Sequence, residues 1–65
     1  MAEFLQQVDE IEKTNNYYLK FLEGLEKQWI KIKYLYKMSD KQFEVCGITT
    51  IGDIETIKDA AKKYK

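Results

Sequence analysis

Residues 46–54 read CGITTIGDI, and they hold most of what could be chemistry in this chain. Gly47 and Gly52 have four residues between them, the glycine spacing of a loop that wraps a phosphate. Such a loop continues with Lys and then Ser or Thr, which reach the phosphates and their Mg2+. Here Asp53 and Ile54 follow. A carboxylate where the cation belongs repels a phosphate, so the nucleotide reading is set aside. Nothing else supplies catalytic parts. There is no histidine, hence no imidazole base, and Cys46 is the only cysteine. A lone thiol with no histidine leaves no zinc site of the usual kinds and points to a reducing compartment. Ser39 is the only serine and has a simpler role as a helix cap. Asp9 and Glu12 are read as a solvated pair on the outer face of a first helix. The expectation is a non-enzyme with no cofactor and no metal.

The elements that must hold these residues are helical. Phe4, Leu5, Val8 and Ile11 recur at helix spacing and predict a helix over about 3–13. TNN at 14–16 interrupts it, and Asn15 or Asn16 is expected to cap a second helix over about 17–28. Its apolar stripe is Tyr18, Phe21, Leu22, Leu25 and Trp29. Residues 30–38 carry both a period of two and a helical face. A single strand cannot stand without a partner, so a short helix or irregular turn is expected there. MSDKQF is the clearest local signal. Ser39 with Gln42 makes a capping box, and Met38 with Phe43 a hydrophobic staple, opening a helix over about 40–46. Gly47 is placed to end it in the left-handed conformation. Thr50 and Asp53 are expected to cap a last helix over about 51–64, with Ile51, Ile54, Ile57, Ala61 and Tyr64 as its inner stripe. Its acids Asp53, Glu55 and Asp59 come early and Lys62, Lys63 and Lys65 late, as the helix dipole favours.

Sixty-five residues make one domain, 1–65, with a thin stability margin. At 45% hydrophobic and 14% aromatic the chain is too apolar to be disordered. No apolar run approaches the roughly 20 residues of a membrane span, and the acidic start MAEFLQQVDE lacks the basic region of a signal peptide. An intracellular setting, cytoplasmic or nuclear, with no membrane partner, is expected. Net charge is zero but unevenly spread: residues 1–26 carry a net −4 and residues 27–42 a net +4. All eleven cations are lysine, so the planar arginine fork that suits phosphate and guanine is missing.

Residues 38–64 resemble the last two helices of the sterile alpha motif domain. The match runs in order through Met38, Ser39, Asp40, Phe43, Gly47, Ile48, Thr49, Gly52, Ile57 and Ala61. The resemblance implies an all-α bundle of four to five helices with the longest at the C-terminus. It also implies a protein–protein interaction module that joins another protein or another copy of itself. One docking surface would be mid-domain, with Lys31, Lys33 and Lys37. The other would lie at the start of the last helix, with Gly52, Asp53 and Glu55. The signs are reversed from many family members, yet the two surfaces remain complementary. The alternative is a nucleic-acid-binding helical domain, either helix-hairpin-helix-like, through GITTIGDI, which is similar to DNA-gripping hairpins, or an RNA-binding domain of the sterile alpha motif kind, with the Lys/Tyr stretch 29–37 as a further candidate surface. Glu44, Asp53 and Glu55 around that corner would oppose a phosphate backbone.

Overall fold

The computed structural model describes residues 1–64. The chain forms α1 (Ala2–Glu12), a single 3₁₀ turn at Leu19–Phe21, α2 (Leu22–Lys27), α3 (Ile32–Leu35), α4 (Asp40–Val45) and α5 (Ile51–Lys63). No strand occurs among the described residues, and α5 is the longest helix, as expected. The ambiguous stretch 30–38 resolves into the one-turn α3. Of the late cations expected on α5, Lys65 lies outside the described residues. One core gathers side chains from every helix, with Phe4, Leu5, Leu25, Leu35, Phe43, Ile48 and Ile57 sealed from solvent.

Three of the helices end in the same way. After α1, the Lys13 amide donates to the Glu10 carbonyl (3.3 Å) and the Thr14 amide to the Asp9 carbonyl (2.9 Å). After α2, Trp29 donates to Glu26 (3.0 Å) and Ile30 to Leu25 (3.0 Å). After α4, Gly47 donates to Glu44 (2.9 Å) and Ile48 to Phe43 (3.0 Å). Each is a Schellman ending, which reuses the helix's orphan carbonyls and needs one residue in the left-handed region. That residue is Lys13 at φ 58, Trp29 at φ 55 and Gly47 at φ 88. Only the third is glycine. Substituting Gly47→Val places a β-branched side chain at positive φ, although its Cβ would meet open space. The expected loss is about 1–3 kcal/mol, or several degrees in the thermal melt. An unchanged melt would show that the α4–α5 corner is not built on this turn.

The Ser39 capping box forms as expected. The Gln42 amide donates to the Ser39 hydroxyl (3.3 Å), and the Gln42 side-chain carbonyl accepts from the Ser39 amide (3.0 Å). The other two expected caps do not form. Asn15 and Asn16 cap nothing, and Asn16 sits at φ 60 within the connecting turn. The second helix therefore opens late, as the 3₁₀ turn at Leu19 rather than a helix from 17. Its start is capped from another element by Asp9 of α1. Thr50 precedes α5 in an extended conformation, but its side chain makes no capping bond. The Asp53 carboxylate turns inward instead.

The stripes are narrower than their periodicity suggests. Ile11 lies beyond the buried face of α1, Trp29 beyond that of α2, and Ile51 beyond that of α5. Asp9, expected on the outer face of α1, is buried. Its Oδ1 accepts from the Thr14 hydroxyl (2.6 Å) and the Tyr18 amide (2.8 Å), and its Oδ2 from the Leu19 amide (3.2 Å). Burial works against its charge, but those hydrogen bonds outweigh burial and hold the carboxyl below the ordinary aspartate range.

Candidate functional site

Lys33 lies within α3, Lys31 precedes it and Lys37 follows it, and all three are exposed. They do not make one patch. Lys31 borders an open depression with Met1, Glu26, Trp29, Ile30 and Ile32. Lys33 borders a second, with Ile32, Tyr36, Ala61, Lys62 and Tyr64. Lys37 borders a third, the groove between α3 and α4, lined by Ile30, Tyr34, Met38, Val45 and Cys46 with Gln28 and Gln42. One short helix separates the three because α3 is a single turn, so neighbouring residues point to different sides. The exposed tyrosines of this helix are partly covered by their own neighbours. The Lys33 ammonium stands 5.5 Å from the Tyr34 ring and the Lys37 ammonium 5.5 Å from the Tyr36 ring.

The groove by Lys37 sets apolar side chains beside Lys37, Gln28 and Gln42. Val45 is the last residue of α4 and lies open to solvent, opposite Tyr34 of α3. Beneath them Met38 and Cys46 are buried. Burial pushes the Cys46 thiol up from its ordinary value, which keeps it protonated and unreactive at neutral pH.

At the start of α5 the expected surface is only partly present. Gly52 and Glu55 are exposed, and a Cβ added at Gly52 would meet nothing. Asp53 is 8% exposed and lies under that surface rather than on it. Its Oδ2 accepts from the Tyr17 hydroxyl (2.6 Å), and its Oδ1 lies 3.4 Å from the Tyr18 hydroxyl. The Tyr17 phenol is pushed up, first by that hydrogen bond and then by burial and the carboxylate's charge. Asp53 thus ties α5 to the segment after α1, which makes it a structural residue. The residue that does project here is Ile51, 72% exposed at the first position of α5. Its place in an i, i+3, i+6 series with Ile54 and Ile57 made it look like core. A hydrophobic residue at the outer edge of a helical stripe is the signal that could have marked it.

No family model matches the chain, and neither characterised proteins nor solved structures match it. Among the described residues no group of three or more His, Cys, Asp or Glu side chains is placed to hold a metal ion, and no helix is long and apolar enough to cross a membrane.

Proposed function

We propose that the chain is a non-catalytic protein–protein interaction module of the sterile alpha motif kind, joining another protein or a second copy of itself. The observation that carries this is a knob and a socket of opposite charge on one small domain. The knob is Ile51, exposed beside Gly52 and Glu55 at the start of α5. The socket is the α3–α4 groove, whose apolar lining of Ile30, Tyr34 and Val45 has Lys37 beside it. An exposed apolar residue costs solvation and contributes nothing to this core, whereas in an interface it serves as an anchor with charges at its rim. The resemblance of residues 38–64 supports the same reading, since the capped α4, the Gly47 corner and the long α5 follow in the order it implies. Of the lysines it named, Lys37 is the one beside the groove.

Sedimentation velocity across protein concentration tests the self-associating form. Ile51→Lys is expected to weaken association about thirtyfold, the loss of a roughly 2 kcal/mol anchor. Lys37→Glu is expected to weaken it less, with the difference shrinking as salt rises, because exposed charges are screened beyond about 8–10 Å. Pairing Lys37→Glu with Glu55→Lys should restore part of the loss. A chain that stays monomeric, yet retards single- or double-stranded oligonucleotides in a salt-sensitive way, reverses the reading in favour of nucleic acid.

A further inference from the structure

Trp29 is in the wrong place for the fold. It occupies the left-handed position that ends α2, at φ 55, where a bulky side chain is strained and glycine would close the same two backbone bonds freely. The core gets almost nothing in return, because the side chain is 85% exposed. Strain retained at a residue that packs on nothing is a sign that its work lies outside the fold.

Its surroundings say what kind of work. Trp29 borders the depression that contains Met1, Ile30, Lys31 and Ile32. Ile32 continues into the next depression, with Lys33, Tyr36, Lys62 and Tyr64. This end of the molecule therefore sets three exposed ammonium groups, an indole and two phenols around half-buried Met1, Ile30 and Ile32. Glu26 is the one acid among the residues lining the two depressions.

We propose that this end docks on the surface of a bilayer containing anionic lipid, with the Trp29 indole seated at headgroup level and Lys31, Lys33 and Lys62 against the lipid phosphates. Indole and phenol rings favour the membrane–water interface, where an apolar body and a polar edge are both satisfied. Lysine serves well there, because a diffuse negative surface asks for point charges rather than a planar fork. Met1, Ile30 and Ile32 decide against nucleic acid, since they offer nothing to a phosphodiester but suit the acyl boundary beneath the headgroups. The docking is peripheral, as no described helix crosses a membrane. It shares Ile30 with the groove beside Lys37 but takes its indole and its lysines from outside that groove, so it goes beyond the interaction module and does not depend on it.

Trp29 is the only tryptophan, which makes the anchor its own reporter. The full chain is mixed with vesicles of phosphatidylcholine alone, or of phosphatidylcholine and phosphatidylserine in equal parts. With the anionic vesicles, the emission should shift to the blue, acrylamide quenching should fall, and the protein should co-sediment. With neutral vesicles these changes should be much weaker, and added salt should reverse them. Lys31→Ala and Lys33→Ala should each weaken binding about fivefold, the effect of one lysine near an anionic surface. Trp29→Gly is the decisive variant: it should melt at the same or a higher temperature than the parent chain while losing co-sedimentation. A Trp29→Gly chain that melts far lower shows a structural indole and overturns the proposal. So does emission unchanged by either vesicle, or retardation of an oligonucleotide by a chain that ignores both.

Discussion

Gly24→Ala is expected to be the most damaging single substitution in this protein, costing more than about 3 kcal/mol, or preventing folding outright. Helix propensity alone predicts the reverse, since alanine is about 1 kcal/mol better than glycine inside a helix. The packing decides otherwise. Gly24 lies in the middle of α2, facing the end of α4, and a Cβ there would fall inside the Cys46 carbonyl group. The obstructing atoms are backbone and cannot rotate away. They also sit one residue before the Gly47 turn, between buried Phe43 and buried Ile48. To admit one methyl group, α2 must move off α4, taking buried Phe21 and Leu25 with it. Overpacking usually costs about 1–3 kcal/mol where side chains can adjust, and here they cannot. A domain of this length has only about 3–10 kcal/mol in all. A circular dichroism melt reads the outcome. A Gly24→Ala chain that melts at or above the parent temperature would mean that α2 and α4 do not approach this closely.

Asp9→Ala should rank second, at about 3 kcal/mol, or roughly 12–24 °C in the melt. The carboxylate is the partner of the Tyr18 and Leu19 amides and of the Thr14 hydroxyl. Alanine leaves a buried Tyr18 amide with no acceptor, and an orphaned buried donor costs about 1–3 kcal/mol. It also frees the Leu19 amide, the second bond of the cap that starts the 3₁₀ turn and α2, and the Thr14 hydroxyl, which brings the total to about 3 kcal/mol. Acid makes the same point without mutation. Because the folded Asp9 holds its pKa below the unfolded value, its contribution is fully present above the unfolded pKa, near about 3.9. It is lost as pH falls through the folded value. The parent chain should therefore lose stability below about pH 4, whereas Asp9→Asn, which keeps one acceptor oxygen, should start lower at neutral pH and lose less on acidification. Parallel acid titrations of the two chains would refute the assignment.

Both predictions rest on contacts that link elements distant in the chain, and that divides what could be foreseen from what could not. The all-helical class, the Ser39–Gln42 capping box, the left-handed Gly47 and the long last helix were legible because each is decided within one turn of helix. A hydroxyl three residues before a glutamine, or a glycine after a short amphipathic run, has the same local options in any surroundings. The one-turn α3 was half legible, since so short a segment fits two periods equally well.

The site was less legible for the same physical reason. Periodicity finds the middle of a buried stripe, so Val8, Leu25 and Ile57 were placed correctly. The edge of a stripe is buried or bare according to the next element, so Ile11, Trp29 and Ile51 were placed wrongly. Polar residues depend still more on neighbours, because a carboxylate goes inside only where distant donors satisfy it. Asp9 finds amides nine and ten positions away, and Asp53 finds a hydroxyl thirty-six positions away. By itself the sequence determined where α4 begins, that the chain turns at Gly47 and that a long last helix follows, because those are contests between a few neighbouring dihedrals and hydrogen bonds. Only the tertiary structure decided that Asp53 ties the bundle together, that Gly24 must have no side chain, and that Ile51 and Trp29 face outward, because burial is set by what packs against a residue.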